Sequence, residues 1–501
     1  MRILRAAGVN RATSLKCEIE PAALDMHRKR LHRVGSASHR PPMLMLRRLR
    51  NRLANLFGAR PKAARSARTT PNNAPQVTLG SVPDYLWTIG KRRPLIGASG
   101  DVVGFEFGLP VSVLQRIHAK NDAPARAAYL SATLKAAALI AQTGRIGLAR
   151  LPAAWLLQAH AEGGANIWLA AEFVHDDDLR ATQDPLWKAV VEALRKQGLL
   201  VGWEFVDGAA PDGPAPSFRL VRQGETPMPD LLDTLRHERA EHRGQPIVLT
   251  DIADLEDFES ALADGIPYLC GALSSKIERA TRDLPPQAQH LISILNLINT
   301  GADNEVLIDE IKFDVSLSYQ LLHLLTSARY AHLENVASID HAVLVLGRKE
   351  LHHWLFMLLL QQHAPRKVSR ALQEVALWRA CLFEALARYL QVPDPGQLFT
   401  LGLASVLDTL LGVDKHALVA MLKLPHEAQD ALLLGTGPWQ VYMELAQQLS
   451  TNTDATQVSR IASEATAHFG GVELVMAFSE QAWAWAREHM DKLGAAAKAS
   501  P

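Results

Sequence analysis

Between Trp87 and Leu273, short apolar runs of strand length alternate with helical segments, and beyond Leu284 no strand-like run remains. This change of period constrains the fold more than any other feature. A strand turns the same face inward at every second residue, a helix about every 3.6 residues. The first half predicts a parallel sheet with helices outside it, open or closed as a barrel, because each return to a parallel strand needs a crossover. The second half predicts a helical bundle. The expected fold is α/β followed by all-α.

Pro94-Leu95-Ile96, the turn Ser99-Gly100-Asp101 and Val102–Phe107 predict a hairpin. Residues 124–142 form an Ala-rich helix. Further strands are expected at Ile146–Ala149, Asn166–Val174, Leu199–Phe205, Phe218–Val221, Pro246–Asp251 and Pro267–Leu273, with helices near 184–197, 229–242 and 254–264. In the second half, helices are expected at 286–299, 303–312, 315–327, 338–345, 348–363, 367–390, 396–412, 414–421, 425–434, 438–450, 454–469 and 472–492, with breaks at Gly301, Pro365, Pro393, Pro395, Gly412, Pro425, Gly435 and Gly437.

A chain of 501 residues suggests two or more domains. The formal net charge of +1 hides an asymmetry: residues 1–69 hold 17 Lys and Arg against Glu18, Glu20 and Asp25, leaving 36 basic and 49 acidic residues in the rest. A basic arm on an acidic body is a partner signal or a disordered segment. In Met43–Phe57, Leu46, Leu49, Leu53, Leu56 and Phe57 recur every three or four residues, and Arg47, Arg48, Arg50 and Arg52 fall mainly on other faces. Such a segment suits an anionic membrane surface; residues 61–80 read as a linker. The apolar run Trp354–Leu360 is far short of the about 20 residues a bilayer requires. The N-terminus lacks the apolar stretch of a secretory signal. Cys17, Cys270 and Cys381 are widely spaced, so neither a zinc ribbon nor a disulfide framework is indicated. Nucleoside-triphosphate, dinucleotide, esterase and zinc-protease motifs are absent from the sequence, and nothing points to specific nucleic-acid binding.

Two family resemblances refine this. Leu284-Pro285-Pro286, Lys312-Phe313-Asp314-Val315-Ser316-Leu317-Ser318, Ser338-Ile339-Asp340-His341-Ala342-Val343 and Leu346-Gly347 resemble the HDOD family, helical output domains related to HD-type phosphohydrolases. Val103-Gly104-Phe105-Glu106 and Gly265-Ile266-Pro267-Tyr268-Leu269-Cys270-Gly271 resemble the signature and last strands of EAL domains, the fold of cyclic-di-GMP phosphodiesterases. Together they resemble bacterial proteins joining a degenerate EAL domain to an HDOD domain. This implies an arm over 1–80, an EAL-like (β/α) barrel over 81–278 and an HDOD bundle over 279–495.

The EAL resemblance implies carboxylates at strand ends holding two metals that activate water. Here Phe107-Gly108 follows Glu106, Trp203-Glu204-Phe205 stands where paired aspartates are expected, and Cys270 replaces a Gln. Glu106, Glu172, Asp176 and Asp251 are the candidate residues of a rearranged metal site, Asp176 belonging to the run His175-Asp176-Asp177-Asp178, with Glu204 a further acid. The preferred reading of the same run is a solvated loop entering a helix, where Asp suits the N-terminal dipole. The HD-type resemblance implies a His near Leu377–Cys381 and a His-Asp pair further on. No His stands at the first place, and Ser405-Val406 occupy the second, so these are degenerate metal positions, with Asp408 a structural partner. His323, His332, His341, His352, His353 and His363 read as packing or surface residues, and Trp354, Trp378, Trp439, Trp483 and Trp485 as bundle core.

The expectation is a non-catalytic bacterial signalling scaffold without a cofactor, cytoplasmic or peripheral at the inner membrane through residues 43–60. It would act through protein partners and is a candidate sensor of cyclic-di-GMP. The alternative is a cyclic-di-GMP phosphodiesterase with a rearranged metal site.

Overall fold

The computed structural model describes residues 92–108, 111–120, 123–158, 164–204, 214–241, 244–271, 273, 283–326, 338–362, 366–450 and 468–499. The expected amphipathic segment at 43–60, the linker, Cys17, His332, His363 and most of the helix expected over 454–469 lie outside them. All described residues fall within one compact unit.

The alternating half closes into an eight-stranded barrel, β1 to β8 in sequence order. Its elements are β1 Arg92–Gly97, β2 Val102–Phe107, α1 Val111–Ala119, α2 Ala123–Gln142, β3 Ile146–Pro152, α3 Ala153–Leu156, β4 Ile167–Glu172, α4 Asp176–Gln183, α5 Pro185–Lys196, β5 Leu200–Glu204, β6 Arg219–Arg222, α6 Met228–Glu241, β7 Ile247–Ile252, α7 Leu255–Ala263 and β8 Tyr268–Gly271. Strands β2 to β8 run parallel, while β1 pairs antiparallel with both β2 and β8. Each expected strand forms: β4, β5 and β8 are shorter than expected, β3 runs on to Pro152, and β6 and β7 shift by one residue. The short α1, α3 and α4 were not anticipated, because at four to nine residues each is too brief for a 3.6-residue apolar period to stand out.

Period-two alternation stacks the barrel interior in layers. Leu95, Leu148, Ala170, Leu220, Val248 and Cys270 form a buried apolar layer together with Trp168 and Phe218. On four strands a charged residue stands two positions away on the same face: Arg93, Arg150, Glu172 and Arg222. A polar layer therefore lies directly above an apolar floor.

The second half is helical throughout its described residues: α8 Pro286–Asn299, α9 Asn304–Phe313, α10 Val315–Thr326, α11 Ile339–Gln361, α12 Ser369–Tyr389, α13 Pro395–Leu411, α14 Lys415–Leu422, α15 His426–Gln429 with a π turn over Asp430–Leu434, α16 Gln440–Ser450 and α17 Val472–Ala499. α11 is broken at Gly347, whose φ of 76° suits a residue without a Cβ. The break matches the separate segments expected over 338–345 and 348–363. α12 is buried along almost its whole length. It meets α13 closely at Gly402, where a Cβ would stand 2.5 Å from the Ala380 Cα.

The bundle covers the outer face of the β1–β2 hairpin. Arg92 projects outward, its guanidinium 3.7 Å above the Phe105 ring, and pairs with Glu480 of α17. Phe105 meets Trp483 edge-on at 4.9 Å, and Trp483 stacks on Trp378 at 4.8 Å. Trp378 Nε1 donates to Ser479 Oγ at 3.1 Å. Arg145 reaches Glu374 at 2.7 Å, and the Ala371 N–H donates to the Gly100 carbonyl at 3.1 Å. Each aromatic pair adds about 0.5–1.5 kcal/mol beyond its buried area, so barrel and bundle share a core.

Candidate functional site

The polar layer gathers where the C-terminal ends of the parallel strands meet the start of β1. Glu106 lies at its centre, 1% exposed. Its carboxylate accepts from Arg93 Nε at 2.7 Å, Arg150 at 2.7 Å, Thr250 Oγ1 at 3.0 Å and Cys270 Sγ at 2.7 Å. Arg150, from β3, is the hub. Its Nε donates to Glu172 Oε1 at 2.7 Å, and the same guanidinium reaches Asp251 Oδ2 at 3.3 Å and Thr250 Oγ1 at 3.2 Å. Arg93 also donates to Asp251 Oδ1 at 2.7 Å. Arg222 bonds Glu172, and its Nε lies 3.1 Å from a Glu204 oxygen.

Asp251 enters the network through an irregular backbone. Its φ is 58°, in the left-handed region, and the β7–β8 register shifts between Leu249 and Ile252. This bulge lets the consecutive residues Thr250 and Asp251 both face the mouth, which a regular strand forbids. Non-glycine residues held in this conformation persist where their surroundings fix them; two guanidiniums do so here.

The network is charge-dense and dry. Burial pushes the Glu106 carboxyl up, but Arg93 and Arg150 outweigh it and hold the group below the usual range. Asp251 is likewise opposed by burial and still held below its usual value by Arg150 and Arg93. Glu204 lies above its ordinary value because burial exceeds the pull of Arg222. Burial and the neighbouring Glu106 raise the Cys270 thiol, making it a neutral hydrogen-bond donor. Three guanidiniums (Arg93, Arg150, Arg222) thus face four carboxylates (Glu106, Glu172, Glu204, Asp251).

Of the candidate acids, Glu106, Glu172 and Asp251 converge, and Glu204 joins them through Arg222. Asp176 drops out of the rival metal site. It is exposed in the first turn of α4 and takes no part in the hydrogen bonds that join the other three. The acidic run is a helix start instead. Asp178 accepts from the backbone N–H groups of Ala154 at 2.9 Å, and of Val174 and His175 at 3.0 Å each, satisfying orphan donors as an N-terminal carboxylate does.

The divalent ions implied by the EAL resemblance do not fit this arrangement. Hard cations need carboxylate lone pairs at about 2.0–2.6 Å, whereas both oxygens of Glu106, Oε1 of Glu172 and both oxygens of Asp251 accept from guanidiniums. Among the described residues, no group of three or more His, Cys, Asp or Glu could hold a metal ion.

In the bundle, Ser405 Oγ donates to the Gly402 carbonyl at 2.7 Å and accepts from Arg379 at 3.1 Å, while Val406 is core. Asp408 lies 3.6 Å from Lys415. Burial pushes Arg379 down to about 10. His352 is pushed down to about 3 by burial and by His353; His353 packs 4.2 Å from the Phe399 ring. These groups hold helices together.

Sequence reasoning located the acids and missed the arginines. The signal was present: Arg93, Arg150 and Arg222 are each a charged position two residues from a buried Leu on the same strand, each with an acid on a neighbouring strand.

Residues 284–412 match the family model described as the HDOD domain. The chain carries an HDOD domain, preceded by a closed barrel. A protein from Bacillus subtilis (strain 168), "Uncharacterized protein YuxH", is 28% identical over 233 residues, 44% of this chain and 57% of that one. "Cyclic di-GMP phosphodiesterase CdgJ" from Vibrio cholerae is 23% identical over 273 residues, 53% of this chain and 62% of that one. The chain thus spans less than two thirds of both curated relatives. The FimX EAL domain from Pseudomonas aeruginosa bound to c-di-GMP superposes with a TM-score of 0.29 and 14% identity, over 36% of this chain and 86% of that one. No helix among the described residues is long and apolar enough to cross a membrane.

Proposed function

We propose that the chain is a non-catalytic scaffold of cyclic-di-GMP signalling, in which the barrel is a structural or ligand-sensing partner and the HDOD bundle presents a surface to other proteins. One observation carries the reading: the carboxylates Glu106, Glu172 and Asp251 are bonded to Arg93 and Arg150, so each already gives to a guanidinium lone pairs that a metal activating water would require. The HDOD match and the name of the Vibrio cholerae relative support the signalling context. Binding of a cyclic dinucleotide uses shape and base contacts and does not depend on those lone pairs.

Titration of the full chain with cyclic-di-GMP in a calorimeter, with and without Mg²⁺ or Mn²⁺, tests the reading, with the cell contents analysed chromatographically for linear dinucleotide. The expected result is intact cyclic-di-GMP under every condition. Metal-independent heat of binding then marks a sensor, and no heat marks a pure protein scaffold. Accumulation of linear product that Glu106→Ala abolishes would overturn the proposal in favour of a phosphodiesterase with a rearranged site.

A further inference from the structure

The mouth network has a centre. Glu106 from β2, Glu172 from β4 and Asp251 from β7 all bond the single guanidinium of Arg150, at 2.7, 2.7 and 3.3 Å. Arg150 is 4% exposed and Glu106 and Glu172 are each 1% exposed. Buried carboxylates of this kind require a positive charge among them. In this barrel the positive charge is a side chain of the chain itself.

The charge balance states the consequence. Three guanidiniums against four carboxylates leave one negative charge. Without Arg150 there would be two against four, and the deficit of two is what one divalent cation supplies. The three acids that would lose their common partner carry oxygen ligands, the kind hard divalent ions accept, and they arise from three different strands of a closed barrel, which holds them in place.

We propose that Arg150 is the resident cation of the barrel: its guanidinium holds together, without a metal, the point where Glu106, Glu172 and Asp251 converge, and its removal turns that point into a site for one hard divalent cation such as Mn²⁺. The mouth of the native chain is therefore insensitive to divalent ions. The inference rests on the reading that the mouth is not a metal centre, but the two fail separately. Turnover by the native chain would sink that reading, whereas a variant that takes up no ion sinks only this inference.

The test uses the full chain carrying Arg150→Ala, or Arg150→Gln if the alanine variant cannot be purified, beside Arg150→Ala/Glu172→Gln, which restores the native charge balance. Thermal unfolding is followed in EDTA and in Mn²⁺, and Mn²⁺ uptake is measured by electron paramagnetic resonance. In EDTA the single variant is expected to melt on the order of 10 °C below the native chain. Mn²⁺ should recover most of that loss while one additional ion binds per chain. The double variant should fold in EDTA, bind no additional ion and show no response of its melting temperature to Mn²⁺. No ion uptake by either single variant, no recovery in Mn²⁺, or single variants that stay unfolded with Mn²⁺ present would each overturn the proposal. So would ion uptake by the double variant equal to that of the single, or failure of the double variant to fold, since charge balance would then not be what Arg150 supplies.

Discussion

Glu106→Ala should be among the most destabilising single changes in the barrel. The carboxylate accepts four hydrogen bonds, from Arg93, Arg150, Thr250 and Cys270, and is 1% exposed. Removing it leaves two buried guanidiniums short of a partner, which costs about 3–5 kcal/mol for a broken buried pair. Glu106→Gln keeps the volume and one acceptor oxygen, and exchanges charge-assisted bonds for weaker ones; roughly 2 kcal/mol is expected. Urea unfolding followed by tryptophan fluorescence reads both, because Trp168 and Trp203 are buried in the barrel. The order native, Gln, Ala in midpoint is predicted, with unchanged slope. Arg93→Ala combined with Glu106→Ala should lose less than the two single losses together, since both remove one interaction. An alanine variant within about 0.5 kcal/mol of native, the range of surface substitutions, would refute the claim that this network is a buried, satisfied ion cluster.

Three further outcomes follow from other parts of the molecule. Trp483→Ala removes a buried ring that touches both Phe105 and Trp378 and should cost about 3–5 kcal/mol; differential calorimetry should find barrel and bundle melting together in the native chain and separately in the variant. Glu106 and Asp251 are held below their ordinary values of 4.5 and 3.8, so their stabilisation is complete above the ordinary values and is lost as pH falls through the lowered ones. Glu204, Glu374 and Asp178, raised by burial, act in the opposite sense and offset part of the loss; the midpoint in urea should therefore fall as the pH drops below about 4.5, the ordinary value of Glu106. Cys270 and Cys381 are buried with raised thiols and should resist maleimide until denaturant is added, as read by peptide mass mapping.

Much of this architecture was legible in the sequence because periodicity reports burial directly. The hairpin at Arg92–Phe107, the Ala-rich α2 and the pattern of strand and helix follow from which residues are apolar and how far apart they lie. Periodicity alone left closure of the sheet open, since the two sheet forms share one local pattern and differ only in whether β1 meets β8; the barrel was implied by the EAL resemblance. Glu106, Glu172 and Asp251 were found by residue type at strand ends. Asp176 entered the rival metal site because an acidic run after a strand looks the same whether it enters a pocket or starts a helix; the preferred reading, a loop entering a helix, is the one the structure has, with Asp178 turned back onto backbone N–H groups. The pairing of acids with arginines was missed because it depends on which strands are neighbours. Arg150 and Glu172 are 22 residues apart and Arg93 and Asp251 are 158 apart, and only the closed barrel joins them.

The claim on which the rest depends is that the barrel mouth carries its own positive charge. Titration of the native full chain with Mn²⁺, read by electron paramagnetic resonance beside Glu172→Gln, tests it most directly. The account predicts the same uptake by both chains, because Glu172 already holds two guanidiniums. Uptake by the native chain that disappears in Glu172→Gln would contradict it.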